Sequence, residues 1–218
     1  TLIQQLILKQ SDPKKKKRIW MQHLKVRFGY DNDDLLFPVY LKSEEVKILE
    51  ASGLRKPNYI LPNGAGVGYG YFKMDSRSRS YLLENLPKIN DSYLRGVIWL
   101  NLWDEMLYGN IKPIDMINLC IRALKTENDI LNTQRILSRL NSTFWNFLSE
   151  NQRAAKANQL ESILRLHLNE ATTVTNRSMY FRSLRSITIT DNGYDWLKSI
   201  WMKNDSIKGL TLSERDYI

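Results

Sequence analysis

The chain has 218 residues and a mass of 25.6 kDa, enough for one large domain or two small ones with a substantial core. A hydrophobic content of 43% with 25% charged residues excludes disordered and collagen-like classes, and 32 Lys and Arg against 23 Asp and Glu leave a net charge of +9. One cysteine, Cys120, excludes an internal disulfide and a thiolate zinc site, and two histidines, His23 and His167, exclude most histidine-based metal and proton-relay chemistry.

No apolar run reaches the ~18 residues of a membrane span, so no membrane partner is expected. Thr1-Leu2-Ile3 lacks the basic-then-apolar order of a signal peptide, and the missing initial methionine is what an excised part of a longer chain would show. Single-cysteine usage fits cytoplasm and periplasm alike.

Leu6-Ile7-Leu8 reads as a short strand that turns at Gln10-Ser11-Asp12-Pro13. Lys14-Lys15-Lys16-Lys17-Arg18 follows, the densest charge in the chain. Such a run can neutralise phosphates, but Pro13 breaks structure before it and no nucleic-acid motif accompanies it. It reads as a solvated loop, and nucleic acid is not the expected partner. From Trp20 the chain alternates, with Trp20, Leu24, Val26 and Phe28 on one face and His23, Lys25 and Arg27 on the other, a half-buried strand. Phe37 to Leu41 is a second extended piece, and Ser43 to Leu49 fits a strand or one helical turn equally. Tyr59-Ile60-Leu61-Pro62 and Val67 to Phe72 flank Asn63-Gly64-Ala65-Gly66, the signature of a hairpin. The glycines at 64, 66, 68 and 70 do not form a phosphate loop, because they open extended residues instead of a helix. They predict close backbone approach.

After Asp75 the periodicity changes to three and four. Helices are predicted over 76–86, 92–108 with Asp91 as cap, from Pro113 through Leu124, from Asn128 or Asp129 through Leu140, and over 152–169, 175–186 and 192–202. Ser213 caps one further helical turn that runs out, with fraying expected after Leu212. Short loops favour antiparallel neighbours. The fold class is mainly α with a small N-terminal β unit: β-sandwich-like strands over 1–75, then an irregular α-superhelical, HEAT/armadillo-like stack over 76–218, truncated at its C-terminus. Arg95, Trp99 and Trp103 recur at four-residue steps on the most apolar helix. Arg95 either stacks on an indole or offers its fork to a carboxylate.

The chain resembles the C-terminal part of zinc aminopeptidases of the aminopeptidase N (gluzincin) family. The resemblance rests on Leu8-Lys9-Gln10-Ser11 with Ile19-Trp20, on Ile60-Leu61-Pro62-Asn63 with Gly68-Tyr69-Gly70-Tyr71-Phe72 and Asp75, on Leu94-Arg95-Gly96-Val97-Ile98-Trp99 with Leu102-Trp103-Asp104, and on Gly209 to Asp216. It implies a parent hydrolase that removes N-terminal residues from peptides with one zinc ion in a separate catalytic domain. Arginine follows His23 four residues on and alanine follows His167, so neither forms His-Glu-x-x-His. No catalytic residue, metal ligand or cofactor is expected in this chain, and it is not expected to be an enzyme by itself. Its expected partners are the catalytic domain of the same polypeptide and peptide substrates, with Arg95, Arg182 and Arg185 as candidate substrate-binding residues. Two other classes fit the same residues: a helical scaffold for protein partners and, less well, a basic nucleic-acid module.

Overall fold

A computed structural model describes residues 1–31, 33–203 and 205–211. The turn expected at Ser213 and the fraying after Leu212 lie outside the described residues. Among the described residues about 52% are helical, and seven α-helices follow a small two-sheet β unit, a mainly α architecture. Contacts divide the chain into two compact units, Thr1–Ile111 and Lys112–Ile218. The last strand ends at Leu61, earlier than the sequence pattern suggests, and the first α-helix starts at Ser76, where the periodicity changes, inside the first of these units.

In the first unit, β1 (Ile7–Lys9) pairs antiparallel with β4 (Glu45–Lys47), while β2 (Gln22–Gly29) lies between β3 (Asp34–Leu41) and β5 (Tyr59–Leu61). Alternation along β2 buries Leu24, Val26 and Phe28 and leaves His23 and Lys25 exposed. Val26 and Phe28 meet Val39, Ile48 and Ala51, with Leu6, Leu8 and Val46 against them, so both sheets share one apolar core. The segment 43–51 is strand and helical turn in succession: β4 runs directly into a 3-10 turn at Leu49–Ala51.

The expected hairpin is absent. β5 pairs with β2, and Val67 to Phe72 joins no ladder. Gly64 explains the difference, because its N–H donates to the Lys25 carbonyl at 2.7 Å and a Cβ there would meet the Arg27 Cβ at 2.5 Å. That approach holds the turn against β2, and the returning chain leaves β5. The close backbone contact expected of these glycines is therefore present at Gly64.

Two helices complete this unit. Asp75 caps α1 (Ser76–Asn85) by accepting from the Ser78 N–H at 3.0 Å. Asp91 caps α2 (Ser92–Leu107), which ends with Gly109 at φ 77° and Asn110 N–H donating to the Glu105 carbonyl, a Schellman closure. α2 buries Val97, Ile98, Trp99 and Leu102, and its polar residues Asn101 and Glu105 are buried too.

The second unit holds α3 (Pro113–Leu124), α4 (Ile130–Phe147), α5 (Glu150–Glu170), α6 (Val174–Ile187) and α7 (Asp191–Trp201). Pro113 opens α3, Asp129 caps α4, and Ser149 with Gln152 forms a capping box on α5. α3 packs on α4 and α5, and α6 on α4 and α5. Their stripes, including Cys120, Leu140, Phe144, Leu160, Leu164 and Leu184, form its core.

Candidate functional site

The three arginines singled out by sequence occupy different settings. Arg95 is buried on α2, and its guanidinium donates to the carbonyls of Ile89 and Asn90, both at 2.8 Å. It thereby fastens the chain that enters the helix. Arg182 is exposed on α6, while Arg185, three residues on, is half-buried with its guanidinium 5.9 Å from the centre of the Phe181 ring. The structure brings Arg182 and Arg185 onto one helix, and Arg95 belongs to the other unit.

His23 stacks on Tyr40 at the surface of the first unit, with ring centres 4.4 Å apart. His167 packs on Tyr180 in the second, and burial lowers its pKa against the opposing pull of Glu170. Neither sits in a ligand set, and the described residues include no group of three or more His, Cys, Asp or Glu able to hold a metal ion.

The lysine run is an ordered loop built on Asp12. Its carboxylate accepts from the main-chain N–H groups of Lys14 at 2.9 Å and Lys16 at 3.0 Å, and from the Arg18 guanidinium at 3.0 and 3.2 Å. Arg18 holds the Asp12 carboxyl well below the usual carboxylate range. These bonds stabilise left-handed Lys15 and Lys17, at φ 54° and 53°, and all four lysine side chains stand in solvent. Arg18 lies 5.2 Å over Trp20.

The other concentration of chemistry is a cavity of about 1130 Å³ confined to the first unit. β1 with the turn after it and the segment Tyr69 to Asp75 both line this cavity, together with Trp20, Ile60 and Pro62. The Tyr69–Asp75 segment belongs to no sheet, and side chains satisfy the backbone groups at its two ends. Asn63 accepts from the Gly68 N–H, Gln22 both accepts from the Tyr69 N–H and donates to its carbonyl, and Glu105 accepts from the Met74 N–H at 2.6 Å. Glu105, fully buried, also receives the Arg79 guanidinium at 3.1 Å. Tyr71 stacks on Tyr108 with ring centres 3.7 Å apart, and its hydroxyl accepts from Asn110 at 2.6 Å. Burial, with Glu105 beside it, pushes the Tyr71 phenol up to about 12.

Lys56 and Arg77, both exposed, line this cavity and also a smaller polar one of about 440 Å³ shared with Thr1, Asp31 and Arg55. With Lys9 and Lys73 also in the lining against the one carboxylate of Asp75, the charged border of the apolar space is net cationic. Sequence reasoning did not find this site. Its signal was the glycine-interrupted aromatic run Gly68-Tyr69-Gly70-Tyr71-Phe72, read there as the second arm of a hairpin. Compared with known proteins, the chain matches no family model and no curated sequence.

Proposed function

We propose that this chain is the non-catalytic C-terminal part of a zinc-dependent aminopeptidase of the aminopeptidase N type. In this reading the helices of residues 76–218 form an irregular superhelix that encloses the active-site cleft of a preceding catalytic domain and governs peptide access. Enclosure excludes water, orients the peptide and limits its length. Arg182 and Arg185 attract the carboxylate end of the peptide. Arg95 holds the entry to α2, through its bonds to Ile89 and Asn90. The zinc and its ligands belong to the catalytic domain.

The observation that carries the reading is where the motif residues stand. Asn63 and Gly64 shape the turn on β2, Asp75 caps α1, and Arg95 and Trp99 are buried in α2. These five residues are held by packing and hydrogen bonding, as a shared scaffold requires.

The test uses the polypeptide with the segment its gene encodes upstream of Thr1. The expected result is zinc-dependent N-terminal trimming and a His-Glu-x-x-His sequence in that segment. Arg182→Glu with Arg185→Glu raises KM for peptides of about ten residues several-fold and leaves turnover of a single-residue amide unchanged. Unchanged length preference in that variant, absence of the zinc motif upstream, or peptide turnover by the 218-residue chain alone overturns the reading.

A further inference from the structure

β1 leaves one edge open toward the cavity of the first unit. The Ile48 N–H donates to the Leu6 carbonyl and the Gln10 N–H to the Glu44 carbonyl. With Leu8 opposite Val46, antiparallel alternation assigns the inward hydrogen bonds to Leu6, Leu8 and Gln10. The main-chain groups of Ile7 and Lys9 therefore point outward, away from β4. Six consecutive residues, Leu6 to Ser11, line the cavity, and a strand presenting one face would contribute only alternate residues. It is the edge of the strand that borders the space.

The Tyr69–Asp75 segment that also lines the cavity is only partly hydrogen-bonded. Side chains hold Gly68, Tyr69 and Met74, while no hydrogen bond among the described residues engages the main chain of Gly70 to Lys73. The space these segments line is slightly larger than the ~300–1,000 Å³ usual for ligand sites, with Trp20, Tyr71 and Phe72 as apolar lining. Lys56 and Arg77 stand at its rim, neither in a salt bridge among the described residues.

We propose that this cavity binds an extended apolar peptide by strand addition to the outer edge of β1, with the free C-terminal carboxylate of the peptide held by Lys56 and Arg77. Main-chain pairing supplies the affinity, the aromatic lining takes alternate side chains, and the cationic rim selects the carboxylate end. A fatty acid would satisfy the rim and the apolar lining but leave the Ile7 and Lys9 groups without partners. The inference goes beyond the proposed function, since it concerns the β unit and needs no catalytic domain, so the two can fail separately.

The test titrates the 218-residue chain with acetyl-Thr-Val-Thr-Leu-Leu bearing a free carboxylate, followed by calorimetry and by amide exchange at Ile7 and Lys9. Both amides exchange rapidly in the free protein and slow at least about tenfold with peptide bound. The C-terminal amide of the same peptide, and the free acid on Lys56→Glu with Arg77→Glu, bind about tenfold more weakly. Lys9→Pro abolishes binding while Lys9→Ala keeps it, and the two variants lose the same small stability, that of the exposed Lys9–Glu45 ion pair, because proline deletes an N–H that β4 does not use. A backbone N-methylated peptide, which leaves the protein unaltered, also fails to bind. Slow exchange at Ile7 and Lys9 without peptide would mean that the two lining segments close on each other, and would overturn the proposal. So would absence of binding at millimolar peptide, or decanoate binding as tightly as the peptide and surviving Lys9→Pro.

Discussion

Single side chains in this protein owe their chemistry to burial. Cys120 sits fully buried in α3, and desolvation pushes its thiol up to about 12. The native chain should therefore resist iodoacetamide at pH 8 and react stoichiometrically after denaturation. Rapid labelling of the folded protein would contradict that burial. His167 titrates the other way. Burial favours its neutral imidazole, so the folded chain binds this proton less readily than the unfolded chain, whose value is the ordinary 6.5. Its contribution to stability is complete above pH 6.5 and is lost as pH falls through the lower folded value. Melting temperatures measured from pH 7.5 to 5.5 should fall in the native chain, with a shallower slope in His167→Gln. Burial of this kind left only a partial trace in sequence: the apolar stripe marks Cys120, whereas nothing near His167 announces Tyr180 against it.

At the scale of elements, two buried carboxylates fasten pieces that no ladder holds. Glu161 on α5 accepts from the Ile189 and Thr190 N–H groups at 2.9 and 3.1 Å and from the Thr190 hydroxyl at 2.5 Å, which ties the start of α7 to α5. Charge-assisted bonds of this type stabilise by ~1.5–3 kcal/mol each in isolation but share one desolvation cost, so Glu161→Ala should destabilise the second unit by about 2–4 kcal/mol. Glu170→Ala, on the exposed last turn of α5, should change stability by less than about 0.5 kcal/mol. Urea unfolding combined with amide exchange in α7 reads both, and equal effects would show that the Glu161 contacts carry no stability. Glu105 does the same for Met74 in the first unit. The starts of the α-helices were legible because caps and periodicity are local: Asp91, Asp129 and the proline at 113 mark three of them, whereas the Ser149 cap of α5 and the extension of α4 beyond Leu140 to Phe147 were not read. The 67–72 segment was misread because its alternation is as good as a strand's, and only the approach of Gly64 to β2 denies it a partner.

For the whole molecule, composition and local pattern determined a mainly α chain with a small β unit at the front, and the change of periodicity at Asp75 marks where the helices begin. Those features follow from neighbours within a few turns, where the spacing of apolar residues and the capping groups act directly on the backbone. Tertiary structure alone decided that β1 keeps an open edge, that Glu105 and Glu161 are buried anchors, and that an apolar cavity with a cationic rim lies within Thr1–Ile111. Each of these joins residues 20 or more positions apart. Their energies depend on which unsatisfied backbone groups meet in space, a quantity that no short window of sequence contains.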